Sequence, residues 1–242
     1  MIDYRPLTTF EEFDAAVEVQ RSVWGFADVE IVPSRFFLLI TKIGGQAIGA
    51  FDASRLIGFC LAMPGIKRGG EMYLHSHMAG VLEEYQNRGI GRGLKLEQRQ
   101  EALSRGIRLI EWTFDPLELR NAYFNIERLG VIVRRYVLNQ YGTTTSRLHA
   151  GMPTDRCVAE WFLDTARTRA IIEGAGRPRE PVRARIAVPR TIGTLRRENL
   201  ARALDIQKAV SGQFLEHFDR GLAVTGFERS EEFGTYLLSE WE

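Results

Sequence analysis

The stretch from Val81 to Leu94 constrains this chain more than any other: Val-Leu-Glu-Glu-Tyr-Gln-Asn-Arg-Gly-Ile-Gly-Arg-Gly-Leu. Gln86, Gly89 and Gly91 make up Gln-x-x-Gly-x-Gly, and Gly93 continues the alternate spacing. Residues 77–81 before it read as a strand, and the residues after it open a helix. Glycine lets a backbone come close to a bulky anion and aim N–H groups at it. The helix adds its positive N-terminal end. The pattern therefore predicts strand, loop and helix with a phosphorylated ligand at the loop. A glycine-rich turn that only starts a helix fits the bare motif as well, so context must decide.

A chain of 242 residues, 45% of them hydrophobic, is long enough for one large domain or two small ones. The formal charge of +1 gives no global electrostatic case for nucleic acid or a membrane surface. Two cysteines, Cys60 and Cys157, are too few for a disulfide framework, and Cys60 sits in an apolar run that predicts a buried thiol. The opening Met-Ile-Asp-Tyr-Arg-Pro lacks the apolar core of a signal peptide, and the longest apolar run, residues 36–40, is too short to span a bilayer. The expectation is a soluble cytoplasmic protein.

Along the chain, residues 2–7 read as a strand. Thr9-Phe-Glu-Glu12 is a capping box that opens a helix through Phe13, Val17 and Trp24. Residues 34–43 predict a second helix closed by Gly44-Gly45, and 46–52 and 56–63 predict strands joined by a polar turn. Residues 65–70 read as a loop and 71–81 as a strand. The helix opened by the glycine loop runs to about Arg105, and 107–114 predicts a buried strand. Asp115-Pro116-Leu117-Glu118 carries a strong helix-start signal, an acid at the cap, Pro at the first position and Glu at the third. That helix ends at Gly130, and a strand follows over 131–138. Beyond a polar stretch at 139–154, strands are expected at 156–163 and 182–188, with a Gly/Pro/Arg loop between them at 174–181. A helix over 194–218 and a hairpin of 222–228 with 235–238 complete the chain.

Two phosphate-binding readings compete for the loop. The first is a dinucleotide fold in an oxidoreductase, in which Glu111, twenty residues past Gly91, would bind a ribose. Against it, the sixth fingerprint position is Leu94, and residues 82–88 separate the strand from the first glycine. The second reading is a resemblance. The order strand, Gln86-x-x-Gly89-x-Gly91, helix, strand, helix, strand over residues 1–141 resembles the GCN5-related N-acetyltransferase (GNAT) superfamily. That resemblance implies an α/β (α+β) fold with a mixed central sheet flanked by helices. It implies an acyl-CoA-binding domain at 1–150 and a C-terminal α/β extension, 151–242, that covers the acceptor or forms a homodimer contact.

The resemblance also implies the ligand contacts. Gln86, Asn87, Arg88, Gly89, Ile90 and Gly91 would hold the CoA pyrophosphate, with Arg88 and Arg92 adding charge. Ala79 and Val81 would pair with the pantetheine arm as an added strand does. One departure stands out. Many members carry Asn-x-x-Ala-x-x-Leu-Tyr-x-x-x-Gly on the later helix, the tyrosine protonating the leaving thiolate. Counted back from Gly130, Ala122 matches, but Leu119, Asn125 and Ile126 replace the Asn, Leu and Tyr. Tyr123 lies three residues before the tyrosine position, Asn121 and Asn125 share that helix, and any of these could reach the thioester.

Amide formation from a thioester needs a neutral amine, a polarised carbonyl and a proton for the sulfur. Backbone N–H groups near residues 79–81 can polarise the carbonyl. His75 leads as the base: it lies eleven residues before Gln86, where several histone-modifying members carry a Glu base, and its ordinary pKa suits neutral pH. His77 shares its strand face by the period of two. Glu111, Asp115 and Glu71 are weaker candidates, Asp115 being expected as a helix cap. His149 and His217 have no supporting context. No spacing suits a metal, and no nucleophile elbow occurs. Seven C-terminal arginines, Arg167, Arg169, Arg177, Arg179, Arg183, Arg185 and Arg190, read as a solvated surface.

The expected function is direct transfer from acetyl-CoA or another acyl-CoA, with no metal, to a small-molecule amine or an amino acid. With its C-terminal extension the chain resembles a longer subgroup of the superfamily, and that resemblance implies succinyl-CoA as a competing donor and amino acids as acceptors; nothing in the residues selects succinyl over acetyl. A CoA-binding module without catalysis and the dinucleotide oxidoreductase both stay open on the sequence.

Overall fold

The capping box at Thr9 forms as the sequence requires, with the Thr9 hydroxyl accepting the Glu12 N–H and the Glu12 carboxylate accepting the Thr9 N–H. It launches the first helix of a computed structural model that describes residues 1–142 and 151–241. The chain divides into two units between Glu111 and Trp112. His149 lies outside the described residues.

The first unit contains β1 (Ile2–Pro6), α1 (Phe10–Trp24), α2 (Ser34–Lys42), β2 (Gln46–Asp52), β3 (Arg55–Ile66), β4 (Met72–Val81) and α3 (Ile90–Ser104). It ends in the first residues of β5 (Leu109–Phe114). Strands β1 to β4 form an antiparallel meander in sequence order, and β5 joins β4 in parallel. A doubly wound dinucleotide fold needs a parallel sheet, and this unit does not supply one. Helices α1 and α2 cover one face, where Phe37 packs on Phe59 at 5.6 Å and Trp24 on Phe59 at 6.2 Å between centroids. The next residue of β3, Cys60, turns to the other face and donates to the Leu94 carbonyl of α3. Two-residue alternation thus builds a core on both sides of β3. Burial pushes the Cys60 thiol up to about 12, as expected for a structural cysteine. The loop expected at 65–70 is shorter: β3 runs on to Ile66, and Lys67 N–H bonds the Glu71 carbonyl across the reversal.

The second unit contains α4 (Leu119–Tyr123), a π-helical stretch (Phe124–Leu129), β6 (Ile132–Val137), β7 (Arg156–Phe162), α5 (Ala166–Ile172) and β8 (Ala184–Pro189). It continues with α6 (Ile192–Glu198), α7 (Leu200–Asp219), β9 (Leu222–Arg229) and β10 (Phe233–Glu240). Its strands are ordered β7-β6-β9-β10-β8, each neighbour antiparallel. Phe214 of α7 packs against Tyr136 and Tyr236 at 5.0 Å each, seating that helix on the sheet.

Four expectations need correction here. The helix after Asp115 starts at Leu119, because Asp115 uses Oδ1 to accept the Leu117 N–H in a local turn while its other oxygen pairs with buried Arg196. Glu118 is drawn to the same guanidinium. The long helix over 194–218 is two helices, because Asn199 leaves helical geometry and caps α7 by accepting the Arg202 N–H. Helix α5 was not expected, although Thr165 caps it through the Thr168 N–H. Five of the seven C-terminal arginines, Arg169, Arg179, Arg183, Arg185 and Arg190, are exposed as expected, and Arg167 and Arg177 depart from that expectation. Arg167 is buried, pairs with Glu180 and donates to the Thr225 carbonyl, and Arg169, Arg177, Arg183 and Arg185 pair with Asp164, Glu127, Glu240 and Glu228. No helix among the described residues is long and apolar enough to cross a membrane.

Candidate acyl-CoA site

Strand β4 delivers the chain to the loop at Val81. A short 3-10 turn, Glu83–Tyr85, follows, pinned where Tyr85 donates to Asp52 at 3.0 Å and Arg55 pairs with Glu84. The Gln86 side chain donates back to the Val81 carbonyl, closing the turn. Asn87 takes a positive φ of 62°, and Gly89 caps α3 at φ 81°, a left-handed conformation that a β-carbon disfavours. No side chain caps α3. The Gly93 amide bonds the Gly89 carbonyl at 3.0 Å. The amides before it lie at the mouth of a fifteen-residue helix, the geometry that receives an anion.

The three glycines have different duties. Gly89 supplies the left-handed turn. A β-carbon on Gly93 would fall 2.2 Å from the Tyr4 ring, so its size lets α3 lie on β1. A β-carbon on Gly91 would meet nothing within 4 Å, so the protein's own packing does not demand glycine there. Around the loop, Arg88 lies 5.4 Å from the Tyr85 ring centre, Ile90 is buried and Arg92 is half-buried.

Strand β4 carries a bulge. Ser76 pairs with Ala62 and Met78 with Leu61, so His77 is the extra residue. Before it, His75 and His77 share a face, opposite to Ser76. After it the alternation shifts phase: Gly80 pairs with Phe59 on the α1 and α2 face, and Ala79 pairs with Cys60 on the α3 face. Ala79 and Val81 therefore belong to the face of the sheet that α3 covers, and the two histidines to the other.

His75 stands beside Glu111 in the parallel register of β4 and β5. Glu111 is buried and paired with Lys67, whose ammonium lies 4.4 Å from the Tyr73 ring centre. Burial pushes the His75 pKa down, the neighbouring His77 pushes the same way, and Glu111 opposes them. Burial lowers His77 as well. Both imidazoles are thus neutral at neutral pH, the form that can take a proton. On the opposite face, buried Lys95 of α3 donates to Ser76 Oγ at 2.8 Å and to Gln98 Oε1 at 3.0 Å. Sequence reasoning missed Lys67, Tyr73 and Lys95. Tyr73 was open to the period of two from His75; Lys67 and Lys95 depend on long-range register that no local pattern carries.

Asn121, Tyr123 and Asn125 belong to the second unit. Arg229 stacks on the Tyr123 ring at 3.6 Å, Asn121 is exposed, and Asn125 is buried with an Nδ2 that finds no acceptor among the described residues. Ile126 is fully buried in the core. The π-helical stretch spends an extra residue per turn, so counting back from Gly130 at α-helical spacing is offset by about one position.

This architecture matches solved structures. A Desulfovibrio desulfuricans protein assigned as a GNAT-family acetyltransferase superimposes with a TM-score of 0.53 at 15% identity, over 67% of this chain and 99% of that one. The chain has the GNAT fold. The ribosomal-protein-S18-alanine N-acetyltransferase of Escherichia coli gives 0.53 at 16% identity, over 69% and 96%. Arabidopsis thaliana NAA60 in complex with a bisubstrate analogue gives 0.53 at 17%, over 67% and 98%. No protein-family model and no curated protein matches the chain by sequence.

Proposed function

We propose that this chain belongs to the GNAT superfamily as an acyl-CoA-dependent N-acyltransferase that transfers an acyl group directly to the amine of a small molecule or amino acid. The observation that carries this reading is the uncapped amino end of α3, entered through Gly89 and Gly91 directly after β4, within a GNAT fold. In this reading Gln86, Asn87, Arg88, Gly89, Ile90, Gly91 and Arg92 receive the pyrophosphate, and the backbone of Ala79 and Val81 pairs with pantetheine. His75 takes the proton of the attacking amine. The amine nitrogen bonds to the thioester carbon, the carbon–sulfur bond breaks, and the sulfur leaves as thiolate to be protonated. In the second unit Tyr123, with Asn121 and Asn125 near it in sequence, is the candidate proton donor.

The test is thiol release from acetyl-CoA and succinyl-CoA against free amino acids, small amines and a short peptide. Turnover with a small amine, lost in His75→Gln while calorimetric binding of acyl-CoA is unchanged, supports the reading. CoA binding without turnover on any acceptor replaces it with a binding module. A second reading, a peptide α-amine as acceptor, is favoured by two comparisons: Arabidopsis thaliana Naa50 was solved with the bisubstrate analogue CoA-Ac-MVNAL, and a NatC complex was solved bound to Gag peptide and CoA. The peptide arm of the assay separates the two.

A further inference from the structure

The β3–β4 reversal carries a primary amine onto the face of the sheet that holds the two histidines. Gly65 pairs with Tyr73 across the hairpin, and a β-carbon on Gly65 would fall 2.5 Å from the Tyr73 ring, so glycine is what lets that ring lie against β3. Lys67, just past the strand, is fixed by its backbone. Its N–H bonds the Glu71 carbonyl, and its own carbonyl accepts the Gly70 N–H. The side chain then passes Tyr73, with Nζ 4.4 Å from the ring centre, and ends on the Glu111 carboxylate. Glu111 is the register partner of His75, and Tyr73 lies two residues before His75 on β4. Tyr73, His75 and Glu111 therefore share one face, and Lys67 Nζ joins them there. The Lys67 charge is close enough to help push the His75 pKa down.

The choice of lysine is informative. The chain has 32 basic side chains, and only Lys42, Lys67, Lys95 and Lys208 among them are lysines. An arginine would pair with a buried carboxylate through two N–H groups, but it offers no nucleophilic amine. Lys95 is buried under α3, and Lys42 and Lys208 are exposed on α2 and α7. Lys67 stands apart from all three. Its side chain is 30% exposed, so the amine is held in place without being sealed from a reactant.

We propose that Lys67 is a site of self-acylation, its Nζ taking the acyl group from the acyl-CoA bound to the same chain. The proposal rests on the acyltransferase reading, in which His75 takes the proton of the attacking amine. The amine that already stands beside His75's neighbour Glu111 is that of Lys67. Lys67 starts as an ammonium, which has no lone pair, and passes one proton to the neutral His75 imidazole. Nζ then bonds to the thioester carbon and the carbon–sulfur bond breaks. The thiolate takes up the second proton that the nitrogen loses. The products are an uncharged acyl-lysine, free CoA thiol and the proton that His75 returns to water.

The test incubates the full chain with acetyl-CoA, quenches it at intervals and reads each lysine by peptide mass spectrometry. Exposed Lys42 and Lys208 report the chemical background. Lys67→Arg keeps a cation for Glu111 and removes the nucleophile, and His75→Gln removes the base. Circular dichroism checks the fold of each, and calorimetric titration with acetyl-CoA checks donor binding. The expected result is one acetyl group on Lys67, gained at least about tenfold faster than on Lys42 or Lys208, with a rate constant independent of protein concentration. Labelling of Lys67 should slow by at least about tenfold in His75→Gln, and Lys67→Arg should gain acetyl only at the background rate. Acetyl-CoA binding with Lys67 labelled no faster than Lys42 and Lys208 overturns the proposal and leaves the acyltransferase reading standing. A rate constant that rises with protein concentration, or labelling undiminished in folded His75→Gln, overturns it too. No binding of acetyl-CoA to the wild type overturns the reading and the proposal together.

Discussion

Lys95 is an ammonium buried between α3 and β4, 4% exposed, and its pKa is held down to about 8 from an ordinary 10.5, burial being the cause and Cys60 opposing it. The unfolded chain keeps that proton to near 10.5. Between these values the folded state sheds a proton that the unfolded state retains, so stability rises with pH. The full gap corresponds to about 3 kcal/mol, of which roughly 1.3 kcal/mol is recovered between pH 7 and 9. The thiols work in the opposite direction. Cys60 is held up to about 12 and Cys157 is also raised, so unfolded thiols ionise first and stability falls above about pH 9. Comparing the chain with Lys95→Met cancels that contribution. Urea unfolding of both proteins at pH 7 and pH 9 is the assay. The wild-type stability minus the variant stability should grow by about 1.3 kcal/mol, equivalent to roughly 3–5 °C in melting temperature. A difference that stays flat across that window would refute the argument that Lys95 is a desolvated cation.

The remaining expectations are more compact. Gly89→Ala should cost about 1–2 kcal/mol through its positive φ, and Gly93→Ala about 1–3 kcal/mol through the Tyr4 ring; both are read by thermal melts, and a Gly93→Ala variant as stable as wild type would contradict the packing account. His75 and His77 are both held down by burial, so stability is complete above about pH 6.5 and lost as pH falls below it; His75→Gln should flatten part of that acid limb in melts from pH 7 to 5. Arg196→Met leaves Asp115 and Glu118 without their shared cation, at a cost of about 3–5 kcal/mol; a loss under 1 kcal/mol by urea unfolding would show that water replaces the guanidinium.

What the sequence revealed was what short-range chemistry controls. The Thr9 box, the strand before the loop, the helix opened by the glycine loop and the Gly130 helix stop each depend on a few adjacent residues, and each is in place. What it hid depends on partners far along the chain. Asp115 carries every local signal of a helix cap, yet Arg196, 81 residues away, claims it and the helix begins later. Asn199 reads as one more helical residue because the apolar period continues on both sides of it. The bulge at His77 leaves no mark in composition, and it decides which face Ala79 and Val81 occupy. The π-helical stretch likewise has no local signature, and it offsets the count that compared Ile126 with a tyrosine.

The central claim is that the loop from Gln86 to Gly91 receives the pyrophosphate of an acyl-CoA. Gly91 offers the sharpest probe, since a β-carbon there would meet no protein atom within 4 Å and only a ligand at the loop would feel it. Calorimetric titration of CoA, and of pantetheine lacking the phosphates, into the wild type and Gly91→Val is the measurement. The account predicts an unchanged melt for Gly91→Val, CoA binding weakened by at least about 100-fold, and wild-type binding of pantetheine far weaker than CoA. Equal CoA binding by the folded variant and the wild type would contradict it and leave the glycines as a turn that only starts a helix.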